Sequence, residues 1–463
     1  MRLRRLIILS LVLLCSNSAW AKVTTLTGVE ASYAGKKMVL QRYLDGMVGM
    51  SATLDSCVVD SSGKFIFSVD IASPIQVYIP SEVVNSFIFL EPGQNYEVKI
   101  PAFQERTLAQ KLDPYYRPTD ILAEIKGLKI TDFNYKMMEF EDAFDFYSMK
   151  NLVYGSKTDS ILESINQMKE IFNDLYADPF QGKYMEYRFL LLMNTSSNIY
   201  QDSVIVRLNN LGVDADNPAF WDIFNNLFEN FIPQQNVERD YAIFRRLIEE
   251  GNVKFFFMHL NQRYGITDKD LVELVAIKLM CDLLNQPQFE QMKVVEMLQG
   301  IGAGIASQQN RDLLSYVINY ASSNFIGAPA QDFVMLDMDG KERNLSDFFG
   351  KFIYLNFGNS ALSQTQKDME VLLRFQNTYG KELVILNVGL HDSLEQLQRL
   401  SARYSKKMEF FVAKEPDKVK QLYSVKSVPA FFLIDKDGKL LMTKGAEPTD
   451  ELRMLFQKIF KSE

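Results

Sequence analysis

Three cysteines and two histidines are all that this 463-residue chain offers for thiol or soft-metal chemistry. So few soft ligands argue against a zinc or copper site, and no cofactor is implied. Cys57 and Cys281 stand 224 positions apart. The first lies in the strand-like run Ser56-Cys57-Val58-Val59, the second in the apolar helical run Lys278-Leu279-Met280-Cys281-Asp282-Leu283-Leu284. Both read as buried thiols behaving as small hydrophobes. The alternative is one long-range disulfide, which requires Cα atoms within about 7 Å, and the sequence gives no reason to expect that. Gly300-Ile301-Gly302-Ala303-Gly304 resembles a phosphate loop only superficially. It follows a helical pattern and lacks the Lys-Ser/Thr that completes such a loop, so a helix break or close backbone contact is expected. The Asp-Gly-Lys turns at 339–341 and 437–439 lack the later ligands of a calcium loop and read as hairpin turns. A formal charge of −8, with no basic stripe, argues against nucleic acid.

Positioning any of these groups takes folded cores, and 47% apolar residues with 12% aromatics provide for them. The length suits about three domains. Residues 1–21 read as a signal peptide: Met1-Arg2-Leu3-Arg4-Arg5 is basic, residues 6–14 are apolar except for Ser10, and Ala19-Trp20-Ala21 supplies small side chains for cleavage. No later stretch approaches the roughly 18 apolar residues of a membrane span. The expected location is therefore the periplasm or beyond. A lipoprotein anchored through Cys15 is the alternative, disfavoured because the preceding Leu14 is large.

Residues 22–103 carry short β-branched and aromatic runs between turn signals such as Asp60-Ser61-Ser62-Gly63 and Pro92-Gly93, the pattern of an antiparallel β-sandwich. Residues 104–325 change period. Ile161, Ile165, Met168, Phe172 and Leu175 form one helical stripe, and further helices are expected over 218–231, 237–250, 268–285 and 309–323. The run Phe255-Phe256-Phe257-Met258 reads as buried packing within this helical region. Residues 326–463 alternate strands (352–357, 382–388, 409–412) with helices (365–379, 394–404, 418–423), then add a hairpin across Asp437-Gly438 and a closing helix over 451–460. That order means parallel pairing through crossovers, with an antiparallel edge. The fold class expected is multidomain α+β.

Four segments of this last region stand in a telling order: Gly327-Ala328-Pro329-Ala330-Gln331-Asp332-Phe333, Leu345-Ser346-Asp347-Phe348-Phe349-Gly350-Lys351, Ile353-Tyr354-Leu355-Asn356-Phe357, and Ser427-Val428-Pro429-Ala430-Phe431-Phe432-Leu433-Ile434-Asp435. Their order and spacing resemble the thioredoxin-like family, in its exported TlpA/ResA and AhpC/TSA-related branch, whose longer members carry an N-terminal β-domain. The resemblance implies that Pro429 is the family's cis-proline. In active members the strand ending Asn-Phe is followed by Trp-Ala-x-Trp-Cys-Pro-x-Cys. Here Asn356-Phe357 is followed by Gly358-Asn359-Ser360-Ala361-Leu362-Ser363-Gln364-Thr365. Leu362 stands at the nucleophile's position and Thr365 at the resolving cysteine's. Disulfide exchange needs a thiolate at a helix start and a second thiol to release the mixed disulfide. A hydroxyl nucleophile would need a base, and neither His259 nor His391 has a motif tying it to this loop. No enzymatic activity is expected.

The resemblance also implies that Val428 offers backbone to an extended peptide beside Pro429, with Ser363, Gln364 and Thr365 as neutral neighbours. The simpler reading is that Pro429 serves the turn alone. Three functions follow. The favoured one is a non-catalytic binding or scaffolding protein of the cell envelope, its partner an unknown exported protein or peptide. The others are a residual redox role through Cys57 and Cys281, and a structural envelope component.

Overall fold

The computed structural model describes residues 21–460 except for 114–115, 155–157, 197–200, 230, 232–237, 285, 287, 323–325, 405–407, 426 and 444–446. Residues 1–20, with Cys15 and nearly all of the expected signal peptide, lie outside the described residues. Among the described residues no helix is long and apolar enough to cross a membrane.

The first region is built from β1 (Lys22–Val29), β2 (Lys37–Tyr43), β3 (Ser51–Val58), β4 (Lys64–Ile71), β5 (Ile75–Ile79), β6 (Val84–Leu90) and β7 (Asn95–Lys99). Beyond a short helix α1 (Leu108–Leu112) come β8 (Thr119–Leu122) and β9 (Glu124–Ile125). They form two sheets, β4-β1-β7-β9 and β3-β2-β5-β6-β8. Strict alternation of exposed and buried positions along β4 explains the packing, since Phe65, Phe67, Val69 and Ile71 all face inward. Most pairs are antiparallel, but β1 pairs β7 and β6 pairs β8 in parallel. The sequence places the end of the β region at residue 103, whereas β8 and β9 complete both sheets from beyond it. At four and two residues they are too short to show periodicity, and pairing with β6 and β7 recruits them.

The helices follow as α2 (Phe133–Tyr154), α3 (Thr158–Ile171), α4 (Pro179–Ser196), α5 (Gln201–Leu211), α6 (Pro218–Phe228), α7 (Glu238–Glu249), α8 (Val253–Tyr264), α9 (Lys269–Leu283), α10 (Gln291–Gly302) and α11 (Gln308–Ser322). One apolar core runs through them, and Ile161, Ile165, Met168 and Leu175 of the expected stripe are buried in it. The glycines at 300 and 302 are close-packing positions inside and at the end of α10, where an added Cβ would press on Val253 and Leu314. The 255–258 run is not uniformly buried. Phe256 is enclosed, while Phe255 and Met258 are exposed because one face of α8 looks outward.

The third region contains β10 (Val334–Leu336), β11 (Glu342–Asn344), β12 (Phe352–Gly358), α12 (Ser363–Tyr379), β13 (Leu383–Gly389), α13 (Leu394–Ser401), β14 (Glu409–Ala413), α14 (Pro416–Leu422), β15 (Ala430–Ile434), β16 (Leu440–Met442) and α15 (Asp450–Phe460). Its sheet runs β11-β10-β14-β13-β12-β15-β16. Strands β12, β13 and β14 are parallel, and β15 returns antiparallel to β12. Both faces are covered. Ile353, Leu355 and Phe357 of β12 enter one core, and Tyr354 between them enters the other.

Candidate functional site

Strand β12 ends at Gly358, and α12 begins at Ser363 after four intervening residues. Leu362 is the N-cap of α12, half-buried and extended in backbone, and makes no side-chain capping bond. The first-turn amides therefore lack the side-chain acceptor that usually quenches a helix N-terminus. Ser363 and Gln364 are exposed, while Thr365 is only 3% exposed. The absent Cβ of Gly358 lets α12 come close, because a Cβ there would lie 3.1 Å from Thr365 Cγ2. Thr365 thus packs against the strand and cannot serve a peptide lying on the surface. That corrects its expected place among the neutral surface contacts. Gln364 is committed as well, since its Nε2 donates to Asp368 Oδ1 at 2.8 Å.

The loop between strand and helix is pinned by a second loop, following β13. Leu390 N donates to Gly358 O at 2.9 Å, and Asn359 Nδ2 donates to Leu390 O at 3.1 Å. Asp392 accepts from Ser360 N at 3.1 Å and from Ser360 Oγ at 2.6 Å. Burial raises the Asp392 carboxyl above the usual carboxylate range, and the two Ser360 bonds offset only part of that rise. His391 sits between these anchors with φ of 63°. Tertiary structure therefore ties His391 to the loop, which no sequence motif does. Its Nε2 lies 3.8 Å from Asp417, and burial lowers its pKa. His259, in contrast, is packed edge-on against Phe244 and Tyr264 in the helical core.

Beneath the helix start lies a buried polar layer. Asn356 donates to Asn387 Oδ1 at 3.0 Å, and Asn387 donates to Glu409 O at 3.1 Å. Asn356 Oδ1, Thr365 Oγ1 and Asp368 Oδ2 are buried without a hydrogen-bond partner among the described residues. Burial raises the Asp368 carboxyl, and the Gln364 amide offsets this in part. A raised pKa means that the folded chain holds this proton more tightly than the unfolded one. The stability it contributes is present below about pH 4 and is lost as pH rises through the folded value. Asp368→Asn is therefore expected to stabilise the protein at pH 7 by about 1 kcal/mol and to change little at pH 3. Urea titrations at both pH values check this, and a variant no more stable than the parent at pH 7 would remove the account. Asp368, Asp392 and Asn359 were not legible in the sequence as site residues. Asp368 alone left a signal, one turn along from Thr365.

The register of β15 sets its first residue, Ala430, opposite Phe357, so Val428 and Pro429, which precede the strand, lie at the same end of the sheet as the 359–362 loop. Both are half-buried, and the Val428-Pro429 peptide bond is cis. Cys57 and Cys281 are elsewhere, unbridged, one beside the β core and the other beside the helical core.

Residues 350–440 match a family model described as thioredoxin-like. The thiol-disulfide oxidoreductase ResA of Bacillus thuringiensis subsp. konkukian is 31% identical over 138 residues, which are 29% of this chain and 78% of that protein. Its counterpart in Geobacillus thermodenitrificans is 30% identical over 116 residues, 25% of this chain and 66% of that protein. The crystal structure of a thioredoxin-like protein from Bacteroides caccae aligns with 57% of this chain and 96% of its own, at 17% identity and a TM-score of 0.35. With its seven-stranded sheet and this sequence kinship, the chain belongs to the thioredoxin-like family that includes the ResA thiol-disulfide oxidoreductases.

Proposed function

We propose that this protein is an exported, non-catalytic member of its family, a binding or scaffolding protein of the cell envelope. The observation that carries the reading is the helix start itself. Leu362 occupies the N-cap, Thr365 is buried against Gly358, and no cysteine occurs in residues 326–463. Leucine has no lone pair to attack a disulfide, and an enclosed hydroxyl cannot resolve one.

Redox chemistry through the remaining thiols is disfavoured on physical grounds. Burial pushes the Cys281 thiol up to about 12, with Asp282 adding to the shift, and burial also raises the Cys57 thiol. Both effects suppress the thiolate on which exchange depends. Export rests on the basic and apolar leader of residues 1–21. The binding edge that best fits the reading is the Val428-Pro429 segment, which the sheet register carries to the loop before α12.

The protein is expected to leave the rate of insulin reduction by dithiothreitol at its uncatalysed value. The Cys57→Ala/Cys281→Ala variant run alongside should give the same trace. Thiol-dependent turnover that disappears in the variant would instead establish a redox role for those two cysteines.

A further inference from the structure

A cavity of about 290 Å³ lies at the seam between the β region and the helices, remote in sequence from the α12 site. Tyr43 of β2, Tyr78 of β5 and Trp221 of α6 wall it, with Asp216, Asp222 and the backbone at Gly46. The two tyrosine rings meet edge-on with centroids 4.8 Å apart.

The walls are fixed by contacts independent of any ligand. Trp221 Nε1 donates to Ala215 O at 2.9 Å. Gly46 lets the indole lie against the β2–β3 loop, since a Cβ there would come 2.6 Å from Trp221 Cβ. The loop is wound around the buried carboxylate of Asp45, which accepts from the amides of Met47, Val48 and Met50 at 2.6, 2.7 and 2.7 Å. Asn225 Nδ2 of α6 donates to Gly46 O at 2.7 Å, joining the two regions across the cavity. A rigid, preformed pocket loses little entropy on binding.

Its charge is negative. Arg42 pairs with Asp216 at 3.1 Å and Arg188 with Asp222 at 3.0 Å, but Arg188 also serves Glu141. Asp120 adds a further carboxylate beside Tyr43 and Tyr78, opposed at Tyr43 by Arg117. With Asp45, the carboxylates around the pocket outnumber the guanidinium groups. Burial, and then Asp120 and Asp222, push the Tyr78 hydroxyl well above its usual range, so both rings stay neutral. Aromatic faces with a surplus of negative charge attract organic cations.

We infer that this cavity binds an organic ammonium group, supplied either by a small free amine or by a lysine side chain of a partner polypeptide. The volume admits a side chain or a small amine and excludes a folded element.

Trp221 makes the test direct. The chain has two tryptophans, and Trp20 lies in the leader, so Trp20→Phe leaves Trp221 as the sole indole reporter. Its emission is followed while cadaverine, choline and the tripeptide Gly-Lys-Gly are added at constant ionic strength, with maltose as a neutral control. A saturable change is expected with at least one ammonium probe and none with maltose. Preference for cadaverine or choline identifies a free amine as the source, and preference for the tripeptide a lysine side chain. Tyr43→Leu and Asp216→Asn, both at partly exposed positions, should each weaken binding at least tenfold with unchanged melting curves. No saturable response to any of the three cations, an equal response to maltose, or parental affinity in both variants would overturn the assignment.

Discussion

Leu362→Cys is expected to create a thiol that iodoacetamide alkylates at pH 7 about a thousandfold faster than Cys281. The parent thiols are poor nucleophiles, because burial pushes Cys281 up to about 12 and raises Cys57 as well. At pH 7 a thiol with a pKa near 12 is thiolate about once in 10⁵ molecules, whereas an ordinary exposed cysteine is thiolate at the level of a few per cent. Position 362 should do at least as well as an ordinary cysteine. It is the N-cap of a 17-residue helix whose first-turn amides have no side-chain acceptor, and that end of the helix favours an anion. Site-resolved mass mapping of alkylation against time separates the new thiol from Cys57 and Cys281. Reactivity at 362 no greater than at Cys57 would show that the neighbourhood does not stabilise a thiolate. The double variant Leu362→Cys/Thr365→Cys extends the test to exchange, although the buried second position should leave the pair slower than an open one.

Phe89→Ala is expected to cost about 4 kcal/mol and to uncouple the β region from the helices. Strand β6 ends with Ile88, Phe89 and Leu90 all buried, which breaks the alternation seen in β4. The cause is a second core. Ile88 and Leu90 face the β interior, while Phe89 belongs to the helical core. Its ring meets Phe133, Phe180 and Tyr184 at centroid distances of 5.9, 5.9 and 6.1 Å. Asn134 reinforces the joint by accepting from Phe89 N at 3.0 Å and donating to Phe89 O at 2.9 Å. Removing the ring leaves a cavity in a junction that cannot easily collapse, because two sets of elements hold it open. Urea unfolding should move to a lower midpoint and resolve into two steps. A loss of under about 1 kcal/mol with a single transition would mean that the regions are held together elsewhere.

The kinship of residues 326–463 is legible in the sequence itself, because strands alternating with helices at fixed spacing and the Val428-Pro429 segment are local features. So is the absence of a thiol at 362 and 365, since residue identity at a motif position needs no fold. The helical stripe at 161, 165 and 168 is equally readable, a periodicity written in side-chain hydrophobicity alone, whereas Leu175 lies in a separate 3-10 turn beyond the end of α3. Other features required the tertiary structure. Strands β8 and β9 are too short to announce themselves, and exist through their partners β6 and β7. Thr365 is a polar residue in a polar stretch, and only the approach of α12 to Gly358 turns it inward. His391 and Asp392 lie some thirty positions from the loop they adjoin, brought there by the parallel pairing of β12 with β13. The aromatic cavity gathers Tyr43, Tyr78 and Trp221 from three separate elements. Sequence encodes the periodicity and chemistry of each element, but juxtaposition across elements is a property of packing. Contacts between residues more than a hundred positions apart leave no local pattern to read.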